Sequence, residues 1–272
     1  MPSPYQVNVN PPSRPRVTIA TPTPGTVKTG YMKSVIATIR DLARSGIESE
    51  FDTWEGSDVA SQRNVLASRF LRADGFSHLF FVDSDMMMPP DLCARLVSLQ
   101  KPVIGAVYPA KTFNIAEVEQ AVRDGVPLRD ALLGGTSWHF WALGKTPTQP
   151  VCEVDALPFG AVLIQRAVLT TIVAKGFAPE DKAPESAGGP RYNFFGARGE
   201  NVARGRHIQE DISFCERWKK DCGGEVWALL DCEISHIGDF AYQGSLWRLI
   251  QAAAKQASAR RPNAEHRSDE SA

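Results

Sequence analysis

Short apolar runs alternate with helix-length amphipathic stretches through the first 107 residues, and that alternation constrains the fold more than any other feature of the chain. Residues 17–21 (Val-Thr-Ile-Ala-Thr) are β-prone and end at Pro22-Thr23-Pro24-Gly25, a strong turn signal. Apolar residues then fall at Tyr31, Val35, Ile36, Ile39, Leu42 and Ala43, the spacing of a helix lying on a sheet. A second strand is predicted over 49–54, followed by Glu55-Gly56, and a second helix over 59–74. The run His78-Leu79-Phe80-Phe81-Val82 reads as a buried strand, followed by a helix over 91–100 and a strand over 103–107. Strand–helix units repeated in this way imply a parallel, doubly wound α/β sheet with right-handed crossovers.

Beyond Tyr108 the regularity fades. A short amphipathic helix fits 115–124, and Trp138-His139-Phe140-Trp141 form an aromatic cluster. A strand is expected over 151–157, a helix over 161–175 opening after Phe159-Gly160, a helix over 208–220 and a strand over 225–230. Residues 235–240 read as a polar turn, and a last helix is expected over 246–257. The segment 177–206 is rich in Pro, Gly and Arg, with Tyr192, Phe194 and Phe195 as anchors; a loop of that length is functional or disordered. The expected organisation is a disordered segment over 1–15, one domain over 16–258 and a disordered tail over 259–272. No internal repeat is evident.

With 272 residues, 43% hydrophobic and 22% charged, the chain can bury a full core. Its formal net charge of −1 argues against capture of nucleic acid or an anionic membrane by the surface as a whole. The N-terminus lacks the apolar core of a signal peptide, and no run reaches the roughly 18 apolar residues needed to span a bilayer. Five cysteines without a Cys-x-x-Cys pair suggest neither a disulfide framework nor a zinc ribbon, and predict reduced thiols in a cytoplasmic protein.

Chemistry concentrates where the third predicted strand stops, at Asp83-Ser84-Asp85. Ligands bind beyond the carboxyl ends of strands in open α/β sheets. Two acids there repel each other unless a cation sits beside them, and a divalent ion carrying a phosphate-bearing substrate is one solution. An Asp-Ser-Asp turn capping the helix near Asp91 is the other, and the pair alone weighs evenly between them. Four more features accompany it: Arg63-Asn64, Leu157-Pro158-Phe159-Gly160-Ala161, Glu210-Asp211 and Ser235-His236-Ile237-Gly238. Each has an ordinary structural explanation: a solvated arginine, a strand-to-helix turn, acids favoured by a helix dipole, and a hydrogen-bonded histidine.

Their order is more specific than any one of them. Val17-Thr18-Ile19-Ala20-Thr21-Pro22, Arg63-Asn64, Phe80-Phe81-Val82-Asp83-Ser84-Asp85, Phe159-Gly160 with Leu163-Ile164-Gln165-Arg166, Glu210-Asp211-Ile212-Ser213-Phe214-Cys215 and His236-Ile237-Gly238 together resemble the GT-A glycosyltransferases, similar to family 2 transferases of bacterial and phage type. The resemblance spans about residues 16 to 245 and implies a single GT-A-like domain, a mostly parallel central sheet flanked by helices. It implies a nucleoside-diphosphate sugar donor near Thr21, Pro22 and Glu55, with Arg63 approaching the base or the phosphates and Gly160 lining a sugar. It places Asp83 near the ribose and the metal, and Asp85 and His236 as ligands of Mn²⁺ or Mg²⁺. Asp211, with Glu210 beside it, falls at the position of the base that deprotonates the acceptor hydroxyl. Residues 177–206, with Arg191, Arg198, Arg204 and Arg206, would close over the diphosphate. The acceptor (glycan, lipid-linked sugar or protein) is left open, as is the stereochemical outcome. Two alternatives stand beside it: a sugar-nucleotide nucleotidyltransferase, for which the single glycine after the first strand is a poor match, and a non-catalytic nucleotide-sugar-binding module of the same fold.

Overall fold

The computed structural model describes residues 14–138, 141–142, 147–181, 189–197, 208–239 and 247. The predicted alternation is realised as β1 (Arg16–Thr23), α1 (Thr29–Arg44), β2 (Glu48–Glu55), α2 (Val59–Arg72), β3 (His78–Val82), the short β4 (Met86–Met87), α3 (Leu92–Ser98) and β5 (Val103–Ala106). An excursion follows: β6 (Pro109–Phe113), α4 (Ile115–Arg123), α5 (Leu128–Gly134) and β7 (Thr136–Trp138). The chain then returns through β8 (Trp141–Ala142), β9 (Val151–Ala156), β10 (Ala161–Gln165) and α6 (Arg166–Ala174), with β11 (Glu180–Asp181) and β12 (Arg191–Tyr192) forming a small hairpin. The last elements are α7 (Glu210–Glu216), a π-helical turn over Arg217–Asp221, β13 (Val226–Leu229) and β14 (Ser235–His236). The chain divides into two compact units, Met1–Ile237 and Gly238–Ala272, and all these elements belong to the first.

The central sheet has eight strands in the order β2-β1-β3-β10-β5-β13-β9-β8. β1 runs parallel to β2 and β3, and β13 runs parallel to β5, whereas β10 and β9 run antiparallel to their neighbours. The sheet is thus mostly parallel and covered by helices, the α/β class expected. β3 reads as an unbroken apolar run because both of its faces are covered. Leu79 and Phe81 face a core with Leu66 and Phe70 of α2, Phe159 and Phe214, while Phe80 and Val82 face one with Tyr31, Val35 and Leu42 of α1 and Leu92 and Leu96 of α3. All four β3 residues are fully buried, and each such side chain contributes about 1.5–3 kcal/mol of burial free energy.

Several elements differ from expectation: the short β4, β6, β7, β8, β11 and β12 have no counterpart in the sequence reading, the helix expected over 208–220 ends in a π-helical turn, and three further elements differ as well. Residues 161–165, read as the start of a helix, form β10, which inserts between β3 and β5 and sends Val162 to one core and Leu163 to the other. Burial on both faces removed the alternation that marks a strand, and the apolar run continues without a break into α6. Residues 235–236, read as part of a turn, pair with β4 as Ser235 opposite Met87 and His236 opposite Met86. α5 was not expected, and it packs with α4 through buried Val118 and Ala131. The last helix over 246–257, the termini, His139, Phe140, Arg198, Arg204 and Arg206 lie outside the described residues, apart from Trp247 and from Arg14 onward at the N-terminus.

Arg166 fixes the far end of α2. Its guanidinium donates to the carbonyls of Phe70 (2.8 Å), Leu71 (3.1 Å), Ala73 (2.7 Å) and Phe76 (2.5 Å), satisfying acceptors that a helix end leaves free. Asp58 caps the other end, accepting from the Ser61 N–H at 2.9 Å. The helix that carries Arg63 and Asn64 is therefore held at both ends.

Candidate functional site

Arg63 is where the site is built. The sequence reading treats it as either a solvated side chain or a ligand contact, but its side chain is 2% exposed. Nη2 donates to Asp83 Oδ1 at 2.8 Å, Nη1 to the Phe159 carbonyl at 3.2 Å, and Nε lies 3.6 Å from Glu210 Oε1. The guanidinium also stands over the Phe81 and Phe159 rings, at 5.4 and 5.8 Å from their centroids. One buried cation thus ties together β3, the turn before β10 and the start of α7. Burial lowers its affinity for the proton, but Asp83 and Glu210 more than restore it, so the charge is permanent.

Asn64, the neighbour on α2, is 7% exposed. Its Oδ1 accepts from the N–H groups of Phe194 (2.8 Å) and Phe195 (2.9 Å). Arg217 donates to the Phe194 and Gly196 carbonyls, and Phe195 stacks on Phe214 at 4.9 Å. The middle of the long Arg-rich segment is therefore bound into the core behind Arg63. Arg191, at its start, pairs with Asp181 and donates to Ser61 Oγ at 2.9 Å.

Asp83 sits at the carboxyl end of β3, its N–H donating to the Gly160 carbonyl at 3.1 Å. Gly160 returns an N–H to Tyr108 Oη at 2.9 Å, and a Cβ there would lie 2.5 Å from that oxygen. Only glycine allows this approach. Burial raises the Asp83 pKa above its ordinary value, and Arg63 opposes the rise. Asp85 differs. Its Oδ2 pairs with the Lys111 ammonium, and its Oδ1 lies 3.6 Å from His236 Nε2. Burial would raise its pKa, yet hydrogen bonds from His236 and Lys111 bring it down to about 2. His236 Nδ1 lies 3.1 Å from the Pro109 carbonyl, so the imidazole bridges that oxygen and the Asp85 carboxylate.

Asp211 opens α7 and is 8% exposed, with Oδ1 accepting the Ile212 N–H at 2.7 Å. Burial, reinforced by the Glu210 charge, raises its pKa from an ordinary 3.8 to about 6. That value is matched to a general base working near neutral pH.

A cavity of about 260 Å³ opens at Asp83 and Asp85, lined also by Pro22, Pro24, Gln62 and His236 among others; Arg63, Gly160, Glu210 and Asp211 are not part of its lining. Thr21 and Glu55 do not line it. Thr21 is fully buried with its hydroxyl 2.5 Å from Tyr31 Oη, and Glu55 lies against Gly25. Gln62, Tyr108 and Lys111 were not singled out from sequence. Gln62 pins the cavity wall, donating to the carbonyls of Thr23 (2.8 Å) and Gly56 (2.7 Å). No local pattern marks these three, because each acts on a partner distant in the chain. A larger hollow, about 660 Å³, lies at the amino ends of β1 and β2 and is lined by no acid or histidine.

Among the described residues, no three of His, Cys, Asp and Glu are gathered as a ready-made metal set. Asp85 Oδ1 and His236 Nε2, 3.6 Å apart, nonetheless offer an oxygen and a nitrogen donor of the kinds that suit a divalent ion completed by substrate oxygens and water, and Lys111 already places a positive charge on that carboxylate. All five cysteines are free, Cys93 and Cys215 fully buried, and no described helix is long and apolar enough to cross a membrane.

No protein-family model matches the chain, and no curated protein does. Solved structures do. A197 from STIV is 16% identical with a TM-score of 0.47, covering 82% of this chain and 86% of that one. A mutant Drosophila β-1,4-galactosyltransferase 7 complexed with manganese, UDP-Gal and xylobiose is 14% identical with a TM-score of 0.38, covering 91% and 81%. The inositol-1-phosphate CTP transferase from T. maritima is 10% identical with a TM-score of 0.34, covering 90% and 98%. Identities and TM-scores this low carry no activity to this chain. What the structure itself shows is the α/β class, a sheet between helices in which most strands run one way, with an acid pair following its third strand.

Proposed function

We propose that the chain is a metal-dependent glycosyltransferase, moving a sugar from a nucleoside-diphosphate sugar to an acceptor hydroxyl. The observation that supports it best is the convergence of Asp83 and Glu210 on one buried arginine, with Asp211 next in the chain, near the cavity that Asp85 and His236 share. Segments more than a hundred residues apart meet at the carboxyl end of the sheet, where an α/β fold places its ligand.

In this reading the donor nucleotide lies along the cavity floor at Pro22, Pro24 and Gln62, over the ends of β1 and β2. Asp83 faces the ribose. Its orientation is set from below by Arg63, which holds the carboxylate and never reaches the ligand. Asp85 and His236 Nε2 would hold a Mn²⁺ or Mg²⁺ ion, and the imidazole would favour Mn²⁺. When bound, the ion supplies Lewis-acid neutralisation of the departing diphosphate. Asp211 takes the proton of the acceptor hydroxyl, with Glu210 keeping its pKa high. A nucleotidyltransferase reading is weaker, because the turn after β1 offers Pro24 and Gly25 against Glu55 and no basic glycine-rich loop.

The test is thermal stabilisation by a panel of nucleoside diphosphates and sugar nucleotides, with and without Mn²⁺. A ligand of the native state raises the melting temperature by mass action. At least one should do so with Mn²⁺ present, and Asp85→Ala should abolish the Mn²⁺-dependent part. If none shifts the transition, or if Asp85→Ala leaves the shift intact, the proposal fails.

A further inference from the structure

The excursion between β5 and β8 returns to the acid site through one strand. β6 supplies the Pro109 carbonyl that lies 3.1 Å from His236 Nδ1 and orients the ring, and two residues later the Lys111 ammonium that pairs with Asp85 Oδ2. Both groups proposed to hold the cation are therefore governed from β6. That strand pairs with β7 in its own two-stranded sheet and, among the described residues, has no partner in the central sheet. The Lys111 and Asp85 side chains are 40% and 25% exposed, so the pair is reachable from solvent and free to exchange.

We infer that Lys111 is a tethered competitor for the divalent cation: it occupies Asp85 until an ion displaces it, and it thereby sets the cation affinity of the site. This rests on the transferase reading for the identity of the ion site, but not on turnover. The physical reason is direct. A carboxylate oxygen carrying an ammonium at hydrogen-bond distance cannot also present that oxygen to a metal at the short distance coordination requires. Entry of the ion must break the pair and leave Lys111 with its charge exposed beside the cavity, where a diphosphate oxygen is the natural new partner. Ion and diphosphate would then bind with positive coupling, since the diphosphate stabilises the displaced ammonium. His236 Nε2 lies 3.6 Å from the other carboxylate oxygen, Oδ1, so among the described residues Lys111 alone holds Oδ2.

Calorimetric titration of MnCl₂ alone, without nucleotide, tests this on the full chain. Lys111→Met keeps the aliphatic stem and removes the charge, and should bind Mn²⁺ about tenfold more tightly than the wild type. Lys111→Arg retains a competing cation and should stay near the wild-type affinity. In Lys111→Met the coupling between Mn²⁺ and a nucleoside diphosphate should shrink, a change that loss of packing would not produce. Equal or weaker Mn²⁺ binding by a folded Lys111→Met overturns the inference while leaving the transferase reading in place. Absence of Mn²⁺ binding by wild type and variant alike in MnCl₂ alone overturns the inference, and absence with a nucleoside diphosphate present as well overturns both.

Discussion

Replacing Asp211 with asparagine should make the protein more stable and inactive at once. The Asp211 carboxyl is 8% exposed and its pKa stands at about 6 against an ordinary 3.8. At about 1.4 kcal/mol per pH unit, that rise corresponds to about 3 kcal/mol of strain in the charged form. The sign follows from linkage. An acid whose folded pKa is raised contributes stability that is present below its unfolded value and is lost as pH rises through the folded one, here between about pH 4 and pH 6. Asparagine does not titrate, and its Oδ1 can keep the Ile212 N–H bond seen at 2.7 Å. Urea denaturation should therefore find Asp211→Asn more stable by about 3 kcal/mol at pH 7.5, with the gap closing toward zero near pH 4. A variant of equal or lower stability at pH 7.5, or a gap that does not narrow on acidification, would refute the claim that this acid is held charged against its surroundings.

Two further substitutions probe the frame around it. Arg63→Met leaves Asp83 and Glu210 without their cation; both are partly exposed, so the loss should be about 3 kcal/mol, the low end for breaking a buried pair. Because the Asp83 pKa is already raised and should rise further in the variant, the deficit should narrow as pH falls from neutral toward 4; a pH-independent deficit would contradict this. Gly160→Ala places a methyl 2.5 Å from Tyr108 Oη and 2.6 Å from its ring, and should cost about 1–3 kcal/mol in urea while weakening nucleotide binding through Asp83. Stability within about 0.5 kcal/mol of wild type would show that the turn can move aside.

Much of this frame could be read in the chain, and the exceptions share a cause. β1, α1, β2, α2 and β3 carry their own signals, since Leu42, Val35 and Tyr31 repeat at helical spacing and the β3 run ends at two acids. β10 carried none, because a strand buried on both faces looks like the first turns of the apolar helix that follows. The acids Asp83, Asp85, Glu210 and Asp211 stood out by residue type and position. What they touch did not. The burial of Arg63 depends on Phe159 and Glu210, about 100 and 150 residues away, and nothing local separates it from a solvated arginine. Lys111 and Tyr108 reach the site only because β6 folds back beside β14, a contact no spacing rule foresees.

The most direct test of the central claim is release of nucleoside diphosphate from the sugar nucleotide that best stabilises the protein, followed with Mn²⁺ present for wild type and Asp211→Asn. The account predicts donor-dependent release by the wild type that rises with pH through about 6, as Asp211 loses its proton. It also predicts donor affinity preserved in Asp211→Asn with turnover lowered by about a hundredfold or more. Turnover in Asp211→Asn equal to the wild type, or a wild-type rate that does not change between pH 5 and pH 7.5, would contradict it.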